Sequence, residues 1–137
     1  MNGYLLDTNV LSELRKKQRA DRKVLAWLDS VSEDDLFLSV LVLGEIRKGI
    51  ELIRLRDPAQ SQSLEGWLSD LESAYSERLL PITAAVSDRW GRLAAIRPIS
   101  TIDGLMAATA LERSLTLVTR NTEDVRHTDV DLINPFS

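Results

Sequence analysis

Short apolar runs alternate along this chain with longer segments in which apolar residues recur at helical spacing. The alternation constrains the fold, because parallel strands of one sheet must be joined by crossover connections, which are usually helices. The apolar runs predict strands at residues 4–7, 36–39, 79–82, 115–119 and 130–133. The helical patterns predict helices over 9–17, 22–31, 42–57 and 102–114, one that begins near Pro58 and one that Pro98 ends. We therefore expect an α/β fold, a single domain over 1–137 with a mostly parallel central sheet and helices on both faces.

A carboxylate stands at each of four places where an apolar run meets a polar segment. Asp7 closes the first run, Glu45 lies shortly after the second, Asp103 opens the last long helix, and Asp124 follows the fourth run. The carboxyl ends of parallel strands share one edge of the sheet, where ligands bind in such folds. Two carboxylates about 4 Å apart repel by roughly 4 kcal/mol at an effective dielectric of 20. The pattern therefore indicates a divalent metal site, and such a site indicates phosphate chemistry.

Each acid also has an ordinary structural interpretation. Asp7 suits the N-cap of the helix that follows it. Ser100 and Asp103 have the spacing of a capping box. Glu45 would usually be solvated or ion-paired on its helix, and Asp124 would be an ordinary turn residue. The metal-site interpretation therefore depends on the joint pattern of four acids and not on any one of them.

The composition limits the chemistry of such a site. The chain has no cysteine and a single histidine, His127, so thiolate ligands and multi-histidine zinc sites are excluded within one chain. Oxygen ligands favour Mg²⁺, with Mn²⁺ as an alternative. The glycine-rich motifs that bind nucleotide phosphates and the nucleophile elbow of serine hydrolases are missing from the sequence. Nucleotide-binding and serine-hydrolase functions are therefore unsupported by sequence motifs.

The charge distribution bears on partners and location. The formal net charge is −4, which argues against nucleic-acid binding by the surface as a whole. A basic stretch between Arg15 and Lys23 is either a solvated helix face or a local phosphate-contacting patch. No signal peptide and no apolar stretch of membrane-spanning length is visible, so a cytoplasmic protein with no membrane partner is expected.

Several segments resemble motifs of one known family. They are Tyr4-Leu5-Leu6-Asp7-Thr8-Asn9, Leu43-Gly44-Glu45-Ile46-Arg47-Lys48-Gly49, Thr101-Ile102-Asp103-Gly104, Leu117-Val118-Thr119-Arg120-Asn121-Thr122-Glu123-Asp124 and Ile133-Asn134-Pro135-Phe136. In this order and spacing they resemble the PIN domain, and in particular its VapC- and FitB-like ribonuclease toxins of type II toxin–antitoxin pairs. The resemblance covers nearly the whole chain and implies a magnesium-dependent endoribonuclease.

The resemblance also implies roles for individual residues. By motif match, the metal-binding and catalytic acids are Asp7, Glu45 and Asp103, the first supported by Thr8 or Asn9, with Thr119 on the floor of the site. Many relatives carry an acid where this chain has Asn121. Two interpretations of this fourth position stay open: Asp124 supplies the fourth catalytic carboxylate, or Asn121 holds a metal-bound water.

The implied partners are an RNA substrate and a VapB-like antitoxin. The RNA is expected to be single-stranded or looped, because its bases must splay out. A homodimer is expected, forming a hetero-oligomer with the antitoxin. The apolar surface of helix 102–114 predicts burial between neighbouring elements, with a dimer contact through its alanines, or through the helices beside it, as the second interpretation. Apolar residues of helices 9–31 and 42–57, including Trp27, Leu52 and Leu55, predict an exposed docking groove for an amphipathic antitoxin helix.

Three rival functions remain open at the level of sequence. A non-catalytic PIN-like module would only bind another protein, although it would have no need for clustered carboxylates. A housekeeping nuclease would process RNA without an antitoxin. A phosphate-transfer signalling domain also gathers acids at strand ends, but this alternative depends on fold class alone.

Overall fold

The structure is a computed structural model that describes residues 3–137. Its central sheet contains β1 (Tyr4–Leu6), β2 (Leu36–Ser39), β3 (Leu79–Leu80), β4 (Thr116–Val118) and β5 (Leu132–Ile133). Neighbouring strands pair in parallel, in the order β3-β2-β1-β4-β5. The predicted α/β fold with a parallel sheet is confirmed. The last strand is shorter than the predicted 130–133, and β3 is shorter than the predicted 79–82.

Helices connect the strands and cover both faces of the sheet. They are α1 (Thr8–Leu14), α2 (Arg22–Asp29), α3 (Val40–Ile53), α4 (Pro58–Ala74), α5 (Ala84–Ile96), α6 (Thr101–Arg113) and α7 (Thr122–Val125), with 3-10 turns at Lys17–Arg19, Glu33–Asp35 and Arg126–Thr128. Over residues 3–137, no helix is both long enough and apolar enough to cross a membrane.

Two predicted helices are too long. The helix predicted over 9–17 ends at Leu14, because the backbone turns and Lys17 takes up a left-handed conformation with φ of 56°. The helix predicted over 42–57 ends at Ile53. The following helix begins at Pro58, where a missing N–H costs no helical hydrogen bond. The carboxylate of Asp57 caps this helix by accepting the Gln60 N–H at 3.1 Å.

The core is centred on β1 and β4. Leu5, Leu6 and Val118 are fully buried, and Leu117 is 1% exposed. Successive residues of a strand point to opposite faces, so burial of both members of each pair requires helices on both sides of the sheet. This is why the two strands are continuous apolar runs.

The order of the strands determines where polar residues converge. The chain moves outward from β1 through β2 to β3 and then crosses back to β4, on the other side of β1. The connections that leave β1 and β4 therefore diverge and open a crevice at the carboxyl ends of these strands. Asp7 follows β1 at this crevice, and its backbone N–H donates to the Val118 carbonyl of β4 at 3.0 Å.

One expectation about burial is confirmed, and one about an exposed residue is wrong. Ala107, Ala108 and Ala110 of α6 are fully buried within the domain, as the apolar surface of this helix predicts, so they offer no contact surface for a second copy. Trp27 is half-buried and packs edge-on against Tyr4, with ring centres 5.4 Å apart, because the indole completes the core beside β1. Leu52 and Leu55 of the same predicted surface are exposed, at 69% and 96%.

Candidate active site

Asp7 is held by hydrogen bonds at both of its carboxylate oxygens. It is the N-cap of α1 and only 9% exposed. Oδ1 accepts the Thr8 N–H at 2.8 Å. Oδ2 accepts the hydroxyl of Thr119 at 2.8 Å and faces the amide nitrogen of Asn9 at 3.5 Å. The same carboxylate therefore caps a helix and lies at the sheet edge, so the two interpretations of Asp7 are compatible.

Thr119 joins the segments that follow β1 and β4. Its side chain is 1% exposed. The hydroxyl donates to Asp7 and accepts the Asn9 side-chain amide at 3.3 Å and the Asn121 backbone N–H at 3.0 Å. The Asn9 carbonyl oxygen in turn accepts the Arg120 backbone N–H at 3.2 Å. These bonds fix the direction of the Asp7 carboxylate from the side of Thr119 and Asn9.

Glu45 and Asp103 approach Asp7 from two other helices. Glu45 lies in the second turn of α3, where its Oε1 accepts the Thr8 hydroxyl at 2.6 Å. Asp103 lies in the first turn of α6, whose start is capped by Ser100 through a 3.2 Å bond from the Asp103 N–H. The hydroxyl-to-amide half of the predicted capping box is therefore present.

The electrostatics of Asp7 reflect both its burial and its neighbours. Burial raises the pKa of Asp7 above its ordinary value of 3.8, while the hydrogen bonds from Thr119 and Thr8 lower this pKa. The negative charges of Glu45 and Asp103 raise it again. The structure thus brings three of the four predicted acids within electrostatic reach of one another, although they are 38 and 58 residues apart along the chain.

The fourth position is different in character. Asp124 is exposed on α7, and its backbone N–H donates to the Asn121 carbonyl at 3.2 Å. The Asn121 side chain is exposed too, whereas its backbone is tied to Thr119. Neither residue is buried beside Asp7 as Thr119 is, so both remain candidates for a peripheral role.

The residues at this site fit a hard divalent cation by type. Asp7, Glu45 and Asp103 offer only oxygen, the ligand that Mg²⁺ and Mn²⁺ prefer. A cation would offset the loss of solvent and the repulsion that disfavour the charged form of Asp7. Over residues 3–137, no three acidic or histidine side chains are gathered closely enough to hold an ion as they stand. Binding would therefore require the carboxylates to converge.

Part of the basic stretch forms the wall of a groove. A groove of about 740 Å³ is lined by Arg15, Lys17 and Arg19, by Trp67 of α4 and by Tyr75, which follows α4. The Arg15 guanidinium lies 5.6 Å from the centre of the Trp67 ring and donates to the Ser63 hydroxyl at 2.8 Å. This surface lies between α1 and α4, whereas the sequence predicted a groove between helices 9–31 and 42–57.

Sequence reasoning missed two contacts that order the site. It offered Thr8 as a support for Asp7 but not as the partner of Glu45, because no short-range pattern links residues 37 apart. It also missed the contact of Arg120 with Phe136, whose ring centre lies 3.8 Å from the guanidinium carbon. The similarity of Ile133-Asn134-Pro135-Phe136 to a family ending was the available signal for the second.

The fold is that of a PIN domain protein. The PIN domain family profile matches residues 4–130, and the chain belongs to this family. It is 34% identical over 137 residues to Toxin FitB of Neisseria gonorrhoeae, covering 96% of this chain and 97% of that protein. It is also 34% identical over 139 residues to VapC ribonuclease Y4jK of Sinorhizobium fredii, covering 96% of each. The crystal structure of FitAcB from Neisseria gonorrhoeae matches with a TM-score of 0.86 and 32% identity, covering 97% of this chain and 98% of that one.

Proposed function

We propose that this protein is a magnesium-dependent endoribonuclease that acts as the toxin of a type II toxin–antitoxin pair. The observation that carries the proposal is the buried Asp7 carboxylate at the carboxyl end of the central strand, under the charges of Glu45 and Asp103. The similarity to relatives named as a toxin and as a ribonuclease supports the same conclusion.

The metal would be held by Asp7, Asp103 and Glu45. When bound, Mg²⁺ or Mn²⁺ lowers the pKa of a water molecule and offsets negative charge on the scissile phosphate. Thr119 and the Thr8 N–H orient Asp7 before any ion arrives, because each bonds a different carboxylate oxygen. The Thr8 hydroxyl orients Glu45 in the same way. The chain therefore supplies orientation and charge, and no side chain acts as a nucleophile.

Specificity for RNA would come from the surroundings of the acids. Arg120 is exposed beside the site, and its backbone is fixed by Asn9. A cation at this position would attract the phosphate backbone and make binding depend on salt concentration. A single-stranded or looped segment would suit the site, because its phosphates can approach the sheet edge without a stacked duplex.

The catalytic assignment is tested with purified protein on a panel of RNAs, with and without Mg²⁺. Asp7→Asn and Asp103→Asn should abolish cleavage while the circular dichroism spectrum stays native. Asp34→Asn is the matched control, because the same chemical change falls on an exposed carboxylate of a 3-10 turn. A well-folded Asp7→Asn protein that still cleaves RNA would refute the assignment.

The groove between α1 and α4 is the surface that we propose for the antitoxin. Its lining carries Arg15, Lys17 and Arg19 and, among the described residues, one acid, Asp70. Its walls include aromatic rings, so an amphipathic segment with acidic residues along one edge is complementary to it in shape and charge. The free toxin is proposed to be a homodimer that forms a hetero-oligomer with the antitoxin.

The partner is tested by co-expression with the product of the adjacent upstream reading frame. Copurification should occur, and RNA cleavage should be suppressed in the complex and restored when the partner is removed. Lys17→Glu and Arg19→Glu should weaken the complex without affecting cleavage by the free protein. If the product binds without suppressing cleavage, or the free protein is harmless in cells despite nuclease activity, a housekeeping nuclease replaces the toxin interpretation.

A further inference from the structure

The first turn of α6 packs unusually close to α5. Gly104, the residue after Asp103, faces the indole of Trp90, which lies on α5. A Cβ atom at Gly104 would stand 2.8 Å from the indole Cδ1, 3.0 Å from Nε1 and 3.3 Å from Cγ2 of Ile99. The shortest of these is about 0.6 Å inside the 3.4 Å at which ordinary contacts begin. Only glycine allows α6 to approach the indole so closely.

The contact of Trp90 with Gly104 leaves the indole N–H of Trp90 without a hydrogen bond in the part of the chain that the structure describes. The Nε1–H of Trp90 is buried and has no hydrogen-bond partner within residues 3–137. Burying an unpaired donor is unfavourable, and a smaller apolar side chain would avoid it. The indole therefore acts on α6 through the space that it fills and the rigid surface that it presents.

The position of α6 matters because Asp103 is attached to the same turn. A carboxylate lies about 5 Å from the axis of its helix, so a rotation of about 10° moves it by about 1 Å. Ser100 fixes where α6 begins, through its bond with the Asp103 N–H. It does not fix the rotation of the helix about its axis, which depends on what packs against the side of the first turn.

We infer that Trp90 is a positioning residue for Asp103: its indole fills the notch at Gly104 and so sets the rotation of α6 and the distance of the Asp103 carboxylate from Asp7. The inference rests on the proposed function, because it concerns the placement of one of the proposed metal ligands. Residues that orient metal ligands from behind change metal affinity by about 10- to 100-fold when they are altered.

The test compares Gly104→Ala with Gly44→Ala. The two glycines are matched, because each lies in a helix beside a site carboxylate, but a Cβ at Gly44 meets nothing within 4 Å. Gly104→Ala should bind Mn²⁺ at least about tenfold more weakly by calorimetry. It should also lower kcat for RNA with KM unchanged. In crystals, Asp103 should be displaced relative to Asp7. Gly44→Ala should behave as the wild type in all three measurements.

Trp90→Leu and the double variant Trp90→Leu/Gly104→Ala complete the experiment if the single alanine variant does not fold. Trp90→Leu opens the notch and should weaken Mn²⁺ binding. The added methyl group should restore part of that loss in the double variant. The inference is overturned if Asp103 keeps its place in Gly104→Ala, or if the double variant binds no better than Trp90→Leu. A wild type that neither binds Mn²⁺ nor cleaves RNA would defeat the proposed function, while the crystal comparison would still decide the positioning role.

Discussion

Replacing Thr119 with valine isolates the polar network beneath Asp7, because valine keeps the shape of threonine and removes only the hydroxyl. That hydroxyl makes one bond to a carboxylate and accepts two N–H donors. A hydrogen bond to a charged group contributes about 1.5–3 kcal/mol and an ordinary one about 0.5–1.5 kcal/mol. The Asn121 N–H lies at the surface, where water can replace the lost bond, and the Asn9 amide also faces Asp7. Each of these two ordinary hydrogen bonds therefore contributes near the low end of its range, about 0.5 kcal/mol. We expect a decrease of about 2.5–4 kcal/mol in the free energy of unfolding at pH 7.

The loss should depend on pH with a definite sign. The Thr119 bond lowers the pKa of Asp7, so its removal raises that pKa further above the ordinary 3.8. An acidic group whose pKa is higher in the folded state than in the unfolded state destabilises the fold at every pH at which it is ionised in the unfolded chain. The extra destabilisation is therefore full at neutral pH. It diminishes as pH falls through the folded pKa values of Asp7 in the variant and the wild type, and it is lost below them, where Asp7 is protonated in both folded proteins.

Urea unfolding of the metal-free protein at several pH values measures the loss in unfolding free energy and its pH dependence. In thermal unfolding at pH 7, the melting temperature of Thr119→Val should be lower than that of the wild type by roughly 10 °C. Thr116→Val is the matched control, because it makes the same change three residues earlier, at a half-exposed position of β4. A loss equal to that of the control, or one that does not change with pH, would refute the assignment of Thr119 as the hydroxyl that stabilises ionised Asp7.

Three further predictions use other parts of the structure. Mg²⁺ at one hundred times its Kd should stabilise the wild type by about 2.7 kcal/mol, because the site exists only in the folded state, and Asp7→Asn should abolish this thermal shift. Asn121→Ala and Asp124→Ala should differ in cleavage rate, and the larger loss identifies the contributor at the fourth position. Arg47 and Arg54 lower the pKa of Glu65 to about 2, so the contribution of this exposed network is present above pH 4.5 and lost as pH falls towards 2. Glu65→Gln should therefore flatten the decline in stability over that range, and 1 M salt should reduce the difference.

The strand-end residues could be predicted from sequence because their cause is local. An apolar run followed by Asp7, or by Thr119, already indicates a strand whose end reaches a polar edge. The parallel arrangement then requires these ends to meet, so their proximity follows from the fold class. The same reasoning placed Glu45 and Asp103 near that edge.

Contacts between helices could not be predicted in this way. The bond between Thr8 and Glu45 depends on the rotation of α1 against α3, and the contact of Trp90 with Gly104 depends on that of α5 against α6. No periodic pattern and no motif in the sequence indicates how two helices are rotated against each other. These rotations depend on how side-chain volumes fit together when the core packs. This is why Trp27 is half-buried, although the sequence predicted an exposed position.

The pairing of β1 with β4 has a consequence for protein synthesis. Asp7 and Thr119 are 112 residues apart, so a ribosome adding roughly 5–20 residues per second completes the second about 6–20 s after the first. During that interval β1 lacks a neighbour on one side, and the Asp7 carboxylate lacks the hydroxyl that orients it. Translation products that stop between Asp103 and β4 therefore carry all three acids without the hydroxyl that holds Asp7, and such fragments should be inert.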